Sequence, residues 1–396
     1  NDWFEKTVTE KESLTEHLMK QLGYLTLDEQ VKKAAEIIIS SLDPHGFTGP
    51  DPSITEIKML SQYSPRLKGT SLDTEVYFFD SGIEGGTFLI LGGTHPNETA
   101  GLVAATALIE NISVEEGRVI IIPRTNNSGF SHTSPFDGMQ DFFTLTLEDG
   151  TERTFRVGNR LTNPVHQWPD MNYYEGTSGR TIYGTENAEV RNVNRLYYGT
   201  EDGVLTEQVC YGIYNLINEE NVSITMDMHE GSPEFLYLDC TMVNMKRDNT
   251  TAMSIASDMA LSMNFDDLDM RAEYSGVTSY GLSHRSLGDN TDSMMTLMET
   301  YNPSMGPLHG KMDDDLIIYG NEPNYYEAHK DGYIYFDVPE DGYPLIERVA
   351  RHMTCIRYLS EAFTWEYPEM AITISGIPEY QEIVEGGFDL ILKPLS

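Results

Sequence analysis

The chain has 396 residues, enough for one large α/β domain with additions or for two ordinary domains. Its 26 basic and 63 acidic side chains leave a formal charge of −37, which excludes nucleic acid as a partner and argues against an anionic membrane surface, since both would be repelled. Three distant cysteines (Cys210, Cys240, Cys355) form neither a zinc ribbon nor a disulfide framework, and no apolar run is long enough for a membrane span.

The chain begins "NDWFEKTVTEKESL", without an initiator Met or an apolar leader. A chain trimmed after export is expected to begin this way, so an extracytoplasmic or secreted setting is favoured over the cytoplasm. Residues 12 to 42 carry apolar side chains at helical spacing, with Ser13 and Thr26 as caps. The Pro/Gly-rich "DPHGFTGPDPS" then breaks the pattern. Residues 1–69 are therefore expected to be a helical N-terminal extension.

From about residue 70 the pattern changes. "EVYFFDS" and "TFLILGG" read as strands, "ETAGLVAATALIENI" as a helix and "RVIIIPRTN" as a buried strand. Strand, helix, strand is the mark of a crossover unit. The expected fold class is α/β, with a mixed, mostly parallel sheet flanked by helices over residues 70–365. A stretch from about 127 to 200, rich in Gly, Asn, Thr and Tyr, is too long for an ordinary connection and reads as an elaborated active-site loop region. "LTEQVCYGIYNLINEE" is then a helix, "VSITMDMH" a strand, "NTTAMSIASDMALSM" a helix, "SMMTLMET" a strand and "PLIERVARHMTCIRYLSEAF" the last long helix. Residues 366–396 are expected to form a tail of short strands.

The chemistry gathers where strands end. His95 and Glu98 follow the strand closed by Gly92 and Gly93, three residues apart at a helix start, so they can point at one spot. Alone, the pair fits equally a carboxylate that complements the helix dipole. His229 closes a second strand, whose Ile224, Met226 and Met228 alternate. In open α/β sheets ligands sit outside such strand ends. Two histidines and a glutamate make a three-ligand set for a single Zn²⁺ ion, with a fourth position open for water, the catalytic arrangement. Asp227 is placed to orient a ligand from behind. Glu299 closes a third strand, where a carboxylate can take a proton from water and pass it to a leaving nitrogen.

"GGTHPNETAG", "MDMHEG" and a Glu some 70 residues further on, at 299, together resemble the zinc carboxypeptidase superfamily, and most of all its succinylglutamate desuccinylase and aspartoacylase branch. "IPRTNNSGF" and "NVNRLYYG" resemble two further elements of that family, and the likeness covers about residues 75 to 365. It implies a zinc carboxypeptidase-like fold, with His95, Glu98 and His229 as zinc ligands and Glu299 as general base and acid. It also implies that Asn194 and Arg195 bind a substrate carboxylate, a role that suits the guanidinium fork. The arginine that polarises the scissile carbonyl is either Arg124 or Arg160, with Arg160 preferred. The pocket tyrosine is Tyr274 or Tyr280, and His284 and Arg285 in "SYGLSHRSLGD" suit an acidic or polar substrate side chain. Pro96 stands where the desuccinylase form has a second glycine, which stiffens the turn without removing a ligand.

The implied activity is zinc-dependent hydrolysis of amides, as a deacylase of N-acyl amino acids or related small amides that carry a free carboxylate. The alternatives are a metallocarboxypeptidase acting on peptides and a binding protein that keeps the fold without chemistry.

Overall fold

A strand covered on both faces needs no polar alternate positions. "TFLIL" is such a strand: Phe88 and Ile90 enter one apolar cluster, Leu89 and Leu91 another. "RVIII" does the same, with Val119 and Ile121 on one side and Ile120 and Ile122 on the other. These runs form the middle of the sheet in the computed structural model, which describes residues 53–394, apart from 135–137, 171–172, 176–180, 184–188 and 245–249, together with Lys32. Ser53–Lys393 form a unit of their own. The helices expected over residues 12–42 lie outside the described residues.

In chain order the strands are β1 (Glu56–Met59), β2 (Glu75–Asp80), β3 (Thr87–Leu91), β4 (Ser113–Glu116), β5 (Arg118–Ile122), β6 (Phe142–Thr146), β7 (Glu152–Arg156), β8 (Tyr173–Glu175), β9 (Thr181–Tyr183), β10 (Ile224–Gly231), β11 (Cys240–Val243), β12 (Arg271–Tyr274), β13 (Met294–Tyr301) and β14 (Thr373–Ser375). The described helices are α1 (Thr99–Asn111), α2 (Leu205–Glu219), α3 (Thr250–Phe265), α4 (Ser283–Asn290), α5 (Asp314–Tyr319), α6 (Pro323–Lys330), α7 (Leu345–Glu366) and α8 (Tyr380–Ile391).

Eight strands build the main sheet in the order β1-β2-β5-β3-β10-β13-β11-β12. Its centre, β5-β3-β10-β13, is parallel throughout, while β1, β2 and β11 join antiparallel to their inner neighbours. On one face, Met226 and Met228 pack with Val103 of α1, Met259 of α3, Val349 of α7 and Ile383 of α8. On the other, Leu89 and Leu91 pack with Val209 and Ile213 of α2 and with Leu60 and Leu67. The result is a mixed, mostly parallel sheet flanked by helices. Two-stranded pairs (β4 with β14, β6 with β7, β8 with β9) are added around it, the last two within the long segment between residues 127 and 200. Among the described residues no helix is long and apolar enough to cross a membrane.

One local expectation is corrected. The tail is not a set of short strands: a single strand, β14, is followed by α8. Gly387, at φ 63° and ψ −160°, is not helical, so α8 is two helical pieces that meet at a kink there. Within "SYGLSHRSLGD", helix α4 begins at Ser283.

Candidate active site

The turn after β3 is shaped by Gly93. Its φ is 61°, and a Cβ there would lie 2.8 Å from both the Pro123 carbonyl oxygen and the Phe130 ring. Only glycine fits, so the chain folds back tightly and His95 and Glu98 sit directly over the sheet edge. Glu98 immediately precedes α1 but makes no side-chain cap to it. Its carboxylate turns instead to the two histidines.

Donor atoms of His95, Glu98 and His229 all lie within 4.8 Å of one another, and all three residues are buried. Glu98 Oε1 is 2.6 Å from His95 Nδ1, and Oε2 is 2.8 Å from His229 Nδ1. The outer nitrogens are held from behind. His95 Nε2 lies 3.0 Å from Asn192 Oδ1, and His229 Nε2 lies 3.0 Å from Asp227 Oδ2. Asn192 can only accept there: its Oδ1 also takes the Asn194 N–H, while its Nδ2 donates to Glu189. Asp227 is fixed in turn by hydroxyls of Thr94 and Ser283, which donate to it at 2.7 and 2.6 Å.

These partners settle the tautomers. Each imidazole carries its proton on Nε2 and turns the Nδ1 lone pair toward a carboxylate oxygen. Lone pairs facing at such distances repel unless a cation, or a second proton on each ring, lies between them. Two imidazole nitrogens and a carboxylate on one point are the donor chemistry of a zinc-class divalent ion. The residues therefore fit a metal.

The charges are tightly linked. Burial works to raise the Glu98 carboxyl, but His95 and His229 hold it far below the usual range. Burial pushes His95 down. His229 goes the other way: burial opposes its charge, yet Asp227 and Glu98 raise it well above an ordinary histidine.

Glu299 sits on β13 in direct register with His229 on β10, so the two side chains emerge from the same face on neighbouring strands. Its Oε2 is buried and makes no hydrogen bond. Burial pushes the carboxyl up to about 8, against the pull of His229. An unpartnered carboxyl beside a metal-ligand cluster can hold or release a proton near neutrality.

The remaining candidates are placed less simply. Asn194 is buried. Its Oδ1 accepts from the Ser283 N–H and its Nδ2 approaches His229 Nε2 to 3.4 Å, so its amide is engaged inside the site. Arg195 donates to the Asn194 carbonyl and pairs with Glu189. The turn that carries it is clasped by Gly281, whose φ is 87° and where a Cβ would lie 2.1 Å from the Arg195 carbonyl oxygen. Arg160 also pairs with Glu189. Arg124 lies over the Phe130 ring. Arg285 pairs with Asp289 one turn on and covers the ring of Tyr280, while Tyr274 is exposed at the outer end of edge strand β12. His284 is buried and bonded to Ser275, so it does not present an open imidazole to a substrate.

Sequence reasoning missed the support behind Glu98. The Glu230 N–H donates to Glu98 Oε2 at 3.0 Å. On the opposite face of the sheet, Glu230 Oε2 accepts from the Ala100 N–H at the start of α1 and from Asn302 Nδ2, and Oε1 pairs with Arg348 Nη1 at 2.6 Å. Glu230 and Arg348 are wholly buried. Arg348 also donates to the Ile317 carbonyl. The signal was a glutamate directly after His229 on a strand buried at every position, but its partner lies 118 residues away.

A family model for the core binding domain of the sigma-54 factor matches residues 3–68. No curated protein matches the chain. Among solved structures it is similar to a succinylglutamate desuccinylase from a Silicibacter species, at 14% identity and a TM-score of 0.36, over 59% of this chain and 55% of that one. It is similar to the cell shape determinant protein Csd4 from Helicobacter pylori, at 12% identity and a TM-score of 0.43, over 76% and 54%. It is also similar to an aspartoacylase family protein from Mesorhizobium loti, at 16% identity and a TM-score of 0.33, over 58% and 56%. The chain spans about half the length of these solved relatives.

Proposed function

We propose that the chain is a zinc-dependent hydrolase of carbon–nitrogen bonds, acting as a deacylase of N-acyl amino acids or related small amides. One observation carries the reading. His95, Glu98 and His229 converge with both Nδ1 atoms and the carboxylate turned inward, and Glu299, whose Oε2 is buried and unpartnered, stands one strand away in the same register.

His95 Nδ1, His229 Nδ1 and the Glu98 carboxylate would hold the ion. When bound, zinc supplies a Lewis acid that polarises a carbonyl and acidifies water. The chain does the rest. Asn192 and Asp227 keep the two rings in the binding tautomer, and Glu230 and α1 fix Glu98. Glu299 takes the proton of the attacking water and returns it to the leaving nitrogen. Arg160, beside the cluster, offers its guanidinium to the carbonyl oxygen as negative charge gathers there. Arg195 orients the substrate through its carboxylate. The resemblance of the "GGTHPNETAG" and "MDMHEG" motifs points to small N-acyl amino acids over peptides.

The test is a hydrolysis screen of the zinc-loaded protein on N-acyl amino acids and on short peptides with free and blocked C-termini, with metal content measured alongside. Stoichiometric zinc and turnover of N-acyl amino acids are expected. Turnover confined to free C-terminal peptides would make the chain a metallocarboxypeptidase, and zinc without any turnover would make it a binding protein.

A further inference from the structure

The two arginines at the rim of the site share one internal carboxylate. Glu189 Oε1 lies 3.5 Å from Arg160 Nη2, and Glu189 Oε2 lies 3.2 Å from Arg195 Nε. Asn192 Nδ2 donates to Oε2 at 2.7 Å and keeps the group in place. A carboxylate that spans two guanidinium groups takes, in charge, the place of a substrate carboxylate at Arg195 and of a carbonyl oxygen at Arg160.

Two features mark the bridge as exchangeable. The side chains of Arg160, Arg195 and Glu189 are 35%, 21% and 20% exposed, so water reaches all three. Ion pairs at such places contribute about 1 kcal/mol or less. The Arg160 Nε–H is also buried without a partner, so Glu189 does not satisfy that guanidinium. By contrast, the carboxylates of Asp227 and Glu230 are buried, and both oxygens of each accept hydrogen bonds.

We propose that Glu189 is a built-in occupant of the anion subsite formed by Arg160 and Arg195. It sets specificity by making every incoming carboxylate compete for the pair. This rests on the reading above, in which Arg195 takes the substrate carboxylate and Arg160 the carbonyl oxygen, so that Glu189 stands in both places. With Glu189 in place, the three groups carry a single net positive charge. A stray anion then gains little by entering, because it exchanges one ion pair for another. A ligand that also engages the neighbouring ligand cluster gains more, and a neutral amide has nothing to exchange.

The test measures binding of N-acetyl-L-alanine and its amide, N-acetyl-L-alaninamide, to the full-length metal-free protein, where no turnover interferes. Glu189→Gln is expected to tighten the acid about two- to fivefold, the equivalent of losing one competing ion pair, and to leave the amide unchanged. Unchanged or weaker binding of the acid overturns the proposal, as does absence of binding to both proteins. If Glu189→Gln does not fold, Glu189→Asp withdraws the carboxylate by one methylene. A smaller gain in acid binding is then expected, and none overturns the proposal. Arg195→Gln separates the two layers of the argument. Loss of acid binding in Arg195→Gln without gain in Glu189→Gln rejects the role of Glu189 alone. Unchanged binding in Arg195→Gln rejects the anion subsite and the proposal with it.

Discussion

Replacing Arg348 with methionine would leave the Glu230 carboxylate buried without its countercharge. Both side chains are wholly inaccessible to solvent and meet at 2.6 Å, and Arg348 also supplies the hydrogen bond to the Ile317 carbonyl. Removing one member of a buried pair costs about 3–5 kcal/mol, because the remaining charge stays desolvated. The loss should lower Tm by about 4 to 7 °C. It should also depend on pH, in a direction fixed by the folded-state shift. Burial already pushes the Glu230 carboxyl above its ordinary value, and Arg348 is the charge that opposes this most. Without Arg348 the folded-state pKa rises further. A raised folded-state pKa stabilises below the unfolded value and loses that contribution as pH climbs, so the variant should be worse at pH 8 than at pH 5. The Glu230 N–H holds Glu98, so zinc affinity should fall about 10- to 100-fold. Thermal denaturation of metal-free protein at the two pH values, with a competitive zinc titration, reads all three effects. Adding Glu230→Gln removes the stranded charge, keeps an acceptor for Ala100 and should recover most of the stability. A loss below about 1 kcal/mol at pH 8 for Arg348→Met alone would refute the reasoning.

Three further outcomes are expected. Glu299→Gln should retain zinc but lose about 10²- to 10⁴-fold in kcat, measured with whichever substrate the screen identifies; activity within tenfold of the parent would remove Glu299 as the base. Asp227→Ala removes the acceptor behind His229 and should weaken zinc binding about 10- to 100-fold by competitive titration, whereas unchanged affinity would show that Asp227 does not orient the ring. His352, fully buried on α7 with neither ring nitrogen bonded, is pushed by burial down to about 3. A depressed folded-state pKa gives stability above pH 6.5 that drains away as pH falls toward 3, at a cost of about 2 kcal/mol by pH 5. Relative to the parent, His352→Leu should therefore gain stability on going from pH 8 to pH 5, and parallel pH profiles would contradict this.

What could be read from the residues follows from which forces act locally. β3 and β5 were legible because strands covered on both faces are apolar at nearly every position, and β10 and β13 because their methionines and aliphatics run up to a polar end. The ligand residues were visible for the same reason: a polar side chain at the end of such a strand has a defined place. The partners of those side chains were not legible. Asn192, Glu189 and Ser283 lie in short 3₁₀ turns or at a helix start, and they reach the site through contacts that no periodicity encodes. The edge strands β1 and β12, and β11 beside the latter, are only four residues each, too short for alternation to show. The "SYGLSHRSLGD" stretch shows residue type alone misleading: His284 is turned inward to Ser275, and Arg285 is taken up by Asp289 and the Tyr280 ring.

Because His229 and Glu299 are direct neighbours across a parallel ladder, the gap between them is an interstrand spacing, about 4.8 Å between backbones. It is set by peptide groups in the interior of the molecule and is shared by every conformation in which the sheet survives. Warming or dilute denaturant should first disturb the Arg160–Glu189–Arg195 bridge, whose side chains are partly open to water. Affinity for substrate would then fade while the rate of the bound complex held steady, up to the point where the whole fold gives way.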